Sequence, residues 1–283
     1  MKWQGRRGSD NIEDRRRMST GRAGGLGLGG LVLVLAIGYF FGVDVTPLLN
    51  GSAGTDQSTT SGATLSEADI QTGQFVSVTL ADTEEIWGQI FRDEVDATYT
   101  PATLVLFSQV TPSPCGNASG ATGPFYCPLD KKVYLDTAFF TTLSQRMGAG
   151  GDFAAAYVVA HEVAHHVQDE LGILGRANAV RQQSSAAQSN AISVRIELQA
   201  DCFAGIWARH AQETFGSLDK GDIAEAMNAA QQIGDDTLMR NAGKRPMPDS
   251  FTHGTSEQRQ RWFATGFESG SIAACDTFSA TTL

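Results

Sequence analysis

The sequence predicts an α+β fold, a small sheet followed by helices. Two observations carry this. Runs rich in β-branched and aromatic residues stop before residue 137, and from Asp152 onward the chain shows helical spacing with capping residues. A third observation adds one transmembrane helix ahead of the fold: residues 23–43, "AGGLGLGGLVLVLAIGYFFGV", are 21 residues without a charge.

Taken in order, residues 1–22 carry seven basic and three acidic side chains. Beside an apolar stretch, this basic excess predicts a cytoplasmic segment by the positive-inside rule. The stretch 23–43 would span roughly 30 Å as a helix. A cleaved signal peptide is the rival reading, but no small-residue cleavage site closely follows. Residues 44–64 read as a linker, since "NGSAGTDQSTTSGAT" is small and polar. The folded domain is then expected over 65–283, on the far side of an inner membrane that the chain crosses once.

Within that domain "DTEEIWGQIFRDEVDAT" (82–98) predicts a helix starting at Asp82. "ATLVLFSQV" (102–110) and "KVYLD" (132–136) predict strands, and "TAFFTTLSQRM" (137–147) predicts a short helix. Asp152 is expected to cap a helix running to about Glu170, ended by Gly172. Further helices are expected over about 185–213 and 219–233, with a last one capped by Thr255.

The net charge is -10, and the chain after residue 22 holds fourteen basic against twenty-eight acidic residues. Such an acidic body would repel phosphates, which excludes nucleic acid as a partner. Four cysteines beyond an anchor suggest two disulfides. Closing the short loop favours Cys115 with Cys127, leaving Cys202 with Cys275. Four buried thiols are the alternative, and Cys202 as a metal ligand is a third reading.

Three of the five histidines fall within "AHEVAHHVQDELG". His161, Glu162 and His165 form H-E-x-x-H. On a helix the two histidines lie about 40° apart around the axis and roughly 6 Å along it, so both imidazoles can reach one Zn²⁺. Glu162 beside them can act as general base. The surrounding residues are mostly apolar, so these histidines should be buried and need partners. His166 faces another direction and reads as a rim or hydrogen-bonding residue, and His210 as structural. "IELQAD" supplies the best third ligand, Glu197. Asp201, one turn on, would hold the outer nitrogen of a ligand histidine, His161 above all. His253, in a loop before a capped helix, is a candidate to steady an oxyanion, with Tyr157 a weaker one; a structural role for His253 is the alternative.

"HEVAHH", "ELQAD", "GPFYCPLDKKVYLD" and "THGTSEQRQRWF" together resemble the bacterial putative neutral zinc metallopeptidase family, and more distantly membrane-associated zinc peptidases with E-x-x-A-D on a second helix. The resemblance implies a zincin-like metallopeptidase domain holding one Zn²⁺ on His161, His165 and Glu197, with Glu162 as base, and it strengthens the case for His253. It also implies a periplasmic or extracellular face for the domain.

The expected activity is a membrane-anchored zinc endopeptidase acting on a protein or peptide that pairs with an edge strand such as "KVYLD". A zinc-binding assembly module with little hydrolysis, and a zinc amidase acting on cell-wall material, are the alternatives.

Overall fold

The computed structural model describes residues 1–17, 64–119 and 122–283. They form an α+β fold whose four-stranded sheet runs β1 (Ile12–Asp14), β2 (Thr103–Phe107), β6 (Lys132–Asp136), β5 (Phe125–Cys127) in spatial order. β1, β2 and β6 are parallel, and β5 is antiparallel to β6. β3 (Val110–Thr111) and β4 (Ala118–Ser119) form a separate ribbon. "KVYLD" is therefore an interior strand, and the edge-strand role expected for it is corrected: the edges are β1 and β5.

The run "TLVLF" is apolar throughout because both faces of β2 are covered. Alternation divides it. Leu104 and Leu106 join Val133 and Leu135 in the main core, while Val105 and Phe107 pack with Tyr134, Ala118 and Cys127 on the opposite face. A disulfide between Cys115 and Cys127, twelve residues apart, closes the loop over that second cluster.

α1 (Glu67–Ile90) begins well before the expected start. The Ser66 hydroxyl accepts from the Asp69 N–H, and the Asp69 carboxylate accepts from the Ser66 N–H, a reciprocal cap. Asp82 lies inside the helix, buried and paired with both terminal nitrogens of Arg6 at 2.6 and 2.7 Å. A π-helical turn, Phe91–Val95, ends α1. The remaining helices are α2 (Ala138–Gln145), α3 (Asp152–Glu170), α4 (Ile173–Arg181), α5 (Ala186–Phe215), α6 (Asp222–Gln232), α7 (Asp235–Asn241) and α8 (Ser256–Ser269). Asp152 does not cap α3. Its carboxylate holds the Met1 ammonium at 2.9 Å, and Glu225 of α6 accepts from the Phe153 N–H instead.

α3 is the central helix, in contact with α1, α5 and α6 and with β5 and β6. α8 lies directly on α5. A Cβ on Gly205 would fall on the Phe263 carbonyl, and one on Gly266 would fall on the Cys202 carbonyl, so the two backbones meet where neither helix has a side chain. The second disulfide, Cys202–Cys275, ties the C-terminal segment to the same stretch of α5.

The expectation of one membrane-spanning helix, and with it the single-pass inner-membrane placement, is corrected. Among the described residues no helix is long and apolar enough to cross a membrane, and the stretch 23–43 lies outside the described residues. Residues 1–17 also pack on the same body as the later chain: Ile12 pairs with Leu104, and Arg6 with Asp82. A single crossing between the two would put them on opposite sides of the bilayer. The basic side chains that read as a membrane flank are used in ion pairs, Arg16 with Asp14 and Arg15 with Glu13.

Candidate metal centre

α3 and α5 bring the candidate ligands together. "AYVVAHEVAHHV" buries nearly every side chain of α3 because the helix is surrounded, so His161 and His165 are carried into the interior with the apolar residues. α5 starts at Ser185, which forms a reciprocal cap with Gln188, and runs 30 residues; this length brings Glu197 and Asp201 opposite the histidines.

His161, His165 and Glu197 each present a ligand atom within 4.8 Å of the others. His161 Nε2 lies 3.1 Å from Glu197 Oε2, and His165 Nε2 lies 3.5 Å from Glu197 Oε1. A tetrahedral ion with bonds of 2.0–2.1 Å holds its donors about 3.3–3.4 Å apart. Two imidazole nitrogens and a carboxylate at these spacings fit Zn²⁺. The two rings stand at 88° to each other, with centroids 4.9 Å apart.

Each imidazole is held from behind through Nδ1. His161 Nδ1 donates to Asp201 Oδ1 at 2.8 Å. Asp201 is wholly buried and also accepts from Tyr157 (2.5 Å) and from two nitrogens of Arg259 (2.8 and 2.9 Å). His165 Nδ1 donates to Gln168 Oε1 at 2.9 Å.

The electrostatics follow from this packing. Burial disfavours a charged His161, but Asp201, with Glu197, outweighs it and pushes the ring up to about 10. His165 is raised against burial by the Glu197 carboxylate. Burial would also raise Asp201, yet Arg259 and His161 hold it down at about 2. A cation bound between these groups would replace protons on the imidazoles. Glu162 is the exception: burial pushes its carboxyl up, with His161 and His165 pulling only partly back. A carboxyl so raised is closer to the range a general base needs.

His253 lies on the loop before α8. Its Nδ1 is 3.2 Å from Asp235 Oδ1, and the other Asp235 oxygen accepts the backbone N–H groups of Thr252, His253 and Gly254 at 2.7 to 3.0 Å. The side chain is about half exposed. Burial opposes its charge, while Asp235 and the nearby Glu197 raise its pKa. Tyr157, in contrast, is wholly buried with its hydroxyl on Asp201, so its candidacy for the oxyanion is corrected. His166 donates from Nε2 to the Thr100 carbonyl at 2.7 Å on the opposite face of α3; it is buried, away from any rim. His210 Nε2 bonds the Gly270 carbonyl at 3.0 Å. Cys202 is in a disulfide and is not a ligand.

Sequence reasoning missed Arg259, Asp235, Gln168 and Gln199. Arg259 had a signal: it occupies the apolar stripe of α8 with Trp262, Phe263 and Gly266, where an arginine must be paired. Gln168 lies one turn beyond His165 on the ligand face of a buried helix, a weaker signal.

Comparison with known proteins gives a family. The family model described as "Putative neutral zinc metallopeptidase" matches residues 1–278. The uncharacterized protein YpfJ of Escherichia coli (strain K12) is 47% identical over 288 residues, covering 98% of this chain and 99% of that protein. The uncharacterized protein Rv2575 of Mycobacterium tuberculosis is 46% identical over 195 residues, 65% of each chain. No solved structure matches. A match that runs from the N-terminal strand through the C-terminal segment leaves little of the sequence outside it, and the chain belongs to the Putative neutral zinc metallopeptidase family.

Proposed function

We propose that the protein is a zinc-dependent endopeptidase acting on extended segments of protein or peptide. The observation that carries this reading is the grouping of His161, His165 and Glu197, with ligand atoms within 4.8 Å of one another, beside a buried Glu162 whose carboxyl is raised. Zinc held by these three side chains would supply Lewis acidity toward a carbonyl oxygen and make water easier to deprotonate.

The chain's own residues do the rest. Glu162 takes the proton of the attacking water and returns it to the departing amine. His253 is held at Nδ1 by Asp235, and the imidazolium form that Asp235 and Glu197 favour carries a second proton at Nε2, which it donates to the oxyanion. β5, paired only with β6 among the described residues and packed against α3, offers backbone groups to an extended peptide.

The test compares the full chain, zinc-loaded, as wild type and Glu162→Gln on an unfolded protein mixture, with products identified by mass spectrometry. Wild-type cleavage with a loss of about a hundredfold or more in the variant supports the reading. Equal cleavage by both would remove Glu162 from the reaction. Zinc binding without cleavage by either would favour an assembly module, and release of amide products from cell-wall fragments alone would favour an amidase.

A further inference from the structure

We infer that Gln168 is a positioning residue that fixes the tautomer of His165, and that Gln199 and the Cys275 carbonyl set its direction. The inference rests on the metal centre proposed above.

The hydrogen bonds permit only one orientation. Gln168 Nε2 lies 2.8 Å from the Ile196 carbonyl and 3.0 Å from Gln199 Oε1, and Gln199 Nε2 lies 3.0 Å from the Cys275 carbonyl. A backbone carbonyl can only accept. The Cys275 carbonyl therefore takes a proton from the Gln199 amide, whose oxygen is left facing Gln168. The Ile196 carbonyl and that oxygen both require N–H groups from Gln168, and its two amide protons are spent on them. Gln168 Oε1 is then the only atom left for His165 Nδ1, 2.9 Å away, and that nitrogen must carry a proton. In the neutral imidazole Nε2 is thereby kept as the lone-pair nitrogen, on the side of Glu197.

Every amide group in the relay is matched with a partner of the right kind, and both glutamines are buried. Without the relay the opposite tautomer would win, because Glu197 Oε1, 3.5 Å from Nε2, favours a proton on that nitrogen. A proton there blocks the metal. The relay ends on Cys275, whose sulfur is bonded to Cys202. The disulfide thus holds the last acceptor in place, and the set of the C-terminal segment reaches His165 through three hydrogen bonds.

The experiment uses the full chain with ¹⁵N-labelled histidine, as wild type, Gln168→Met and Gln199→Met. Ring-nitrogen signals of His165 are read without metal, and zinc affinity is read by competition with a chelator. Gln168→Met is expected to move neutral His165 from the Nδ1–H form toward Nε2–H and to weaken zinc about 10–100-fold. Gln199→Met, one bond further out, is expected to weaken zinc about three- to tenfold with a partial tautomer shift, and it carries the test if Gln168→Met does not fold. Unchanged His165 signals in the folded variants would overturn the inference, whatever the zinc affinity. Because the tautomer is read without metal, a wild-type chain that failed to bind zinc would tell against the metal centre alone.

Discussion

The two histidines of the candidate metal centre are supported in opposite ways. Behind His161 lies a charged cluster, in which Asp201, Arg259 and Tyr157 come from three helices and share one buried carboxylate. Behind His165 lies a neutral relay of two amides ending on a backbone carbonyl. A charged support sets both the proton and the orientation of its imidazole. It is costly to disturb, because removing one partner leaves a buried charge uncompensated. The neutral support fixes the tautomer and the orientation by hydrogen-bond polarity alone, adds no charge, and leaves less behind when broken.

The sharpest separation of the two is by pH. His161 is raised to about 10, so its protonated form stabilises the metal-free fold fully below the unfolded value of about 6.5 and loses that effect as pH rises to about 10. Zinc binding runs the other way. Below about pH 10 its affinity should rise roughly tenfold per pH unit for each proton displaced, which calorimetry in buffers of different ionisation enthalpy would measure. A pH-independent affinity between 7 and 9 would break the contrast.

Arg259→Met tests the charged side directly. It leaves Asp201 buried beside one fewer partner and should cost about 3–5 kcal/mol, read as a shift in the urea midpoint. A loss no greater than that of Gln168→Met would mean that charge is not what distinguishes the two supports.

The neutral side has its anchor at the disulfide. Cys202→Ser with Cys275→Ser opens a link spanning 73 residues and should cost about 2–4 kcal/mol. It should also reduce zinc affinity through His165, whereas removing the Cys115–Cys127 bond should lower stability and leave zinc unaffected. Similar zinc affinities in both double variants would detach the relay from the C-terminal segment. The smallest effect expected is from Gly266→Ala. An added methyl on the Cys202 carbonyl must push α8 away from α5, costing about 1–3 kcal/mol and loosening Arg259 more than Gln168.

What could be read in the sequence was what a single helix carries. H-E-x-x-H, the carboxylate pair of "ELQAD" and the cap at Thr255 are each spaced by one helical period; α3 ends at Glu170 as expected, while Asp152 is its first residue and not its cap. What escaped depends on residues distant in sequence. Asp82 has the composition of a cap, but Arg6 of the N-terminal segment neutralises it in mid-helix, and the true start lay in the Ser66–Asp69 pair. Arg6, Arg15 and Arg16 resembled a membrane flank because their acidic partners, Asp82, Glu13 and Asp14, lie in α1 and the sheet. Arg259 and Gln168 had no motif of their own, since their meaning comes from a carboxylate and a carbonyl on other elements.

The parallel pairing of Ile12 with Leu104 joins residues about ninety positions apart, whereas α3, α4 and α5 follow one another with short connections. Loop closure favours near neighbours, and a parallel ladder gains nothing until both strands are in place. Refolding should therefore be staged, with the helices bearing His161, His165 and Glu197 docking before β1 completes the sheet. Hydrogen exchange during refolding would then protect the amides of α3 and α5 ahead of those of Ile12–Asp14. On this schedule the site takes shape early, and the N-terminal strand completes the sheet afterwards.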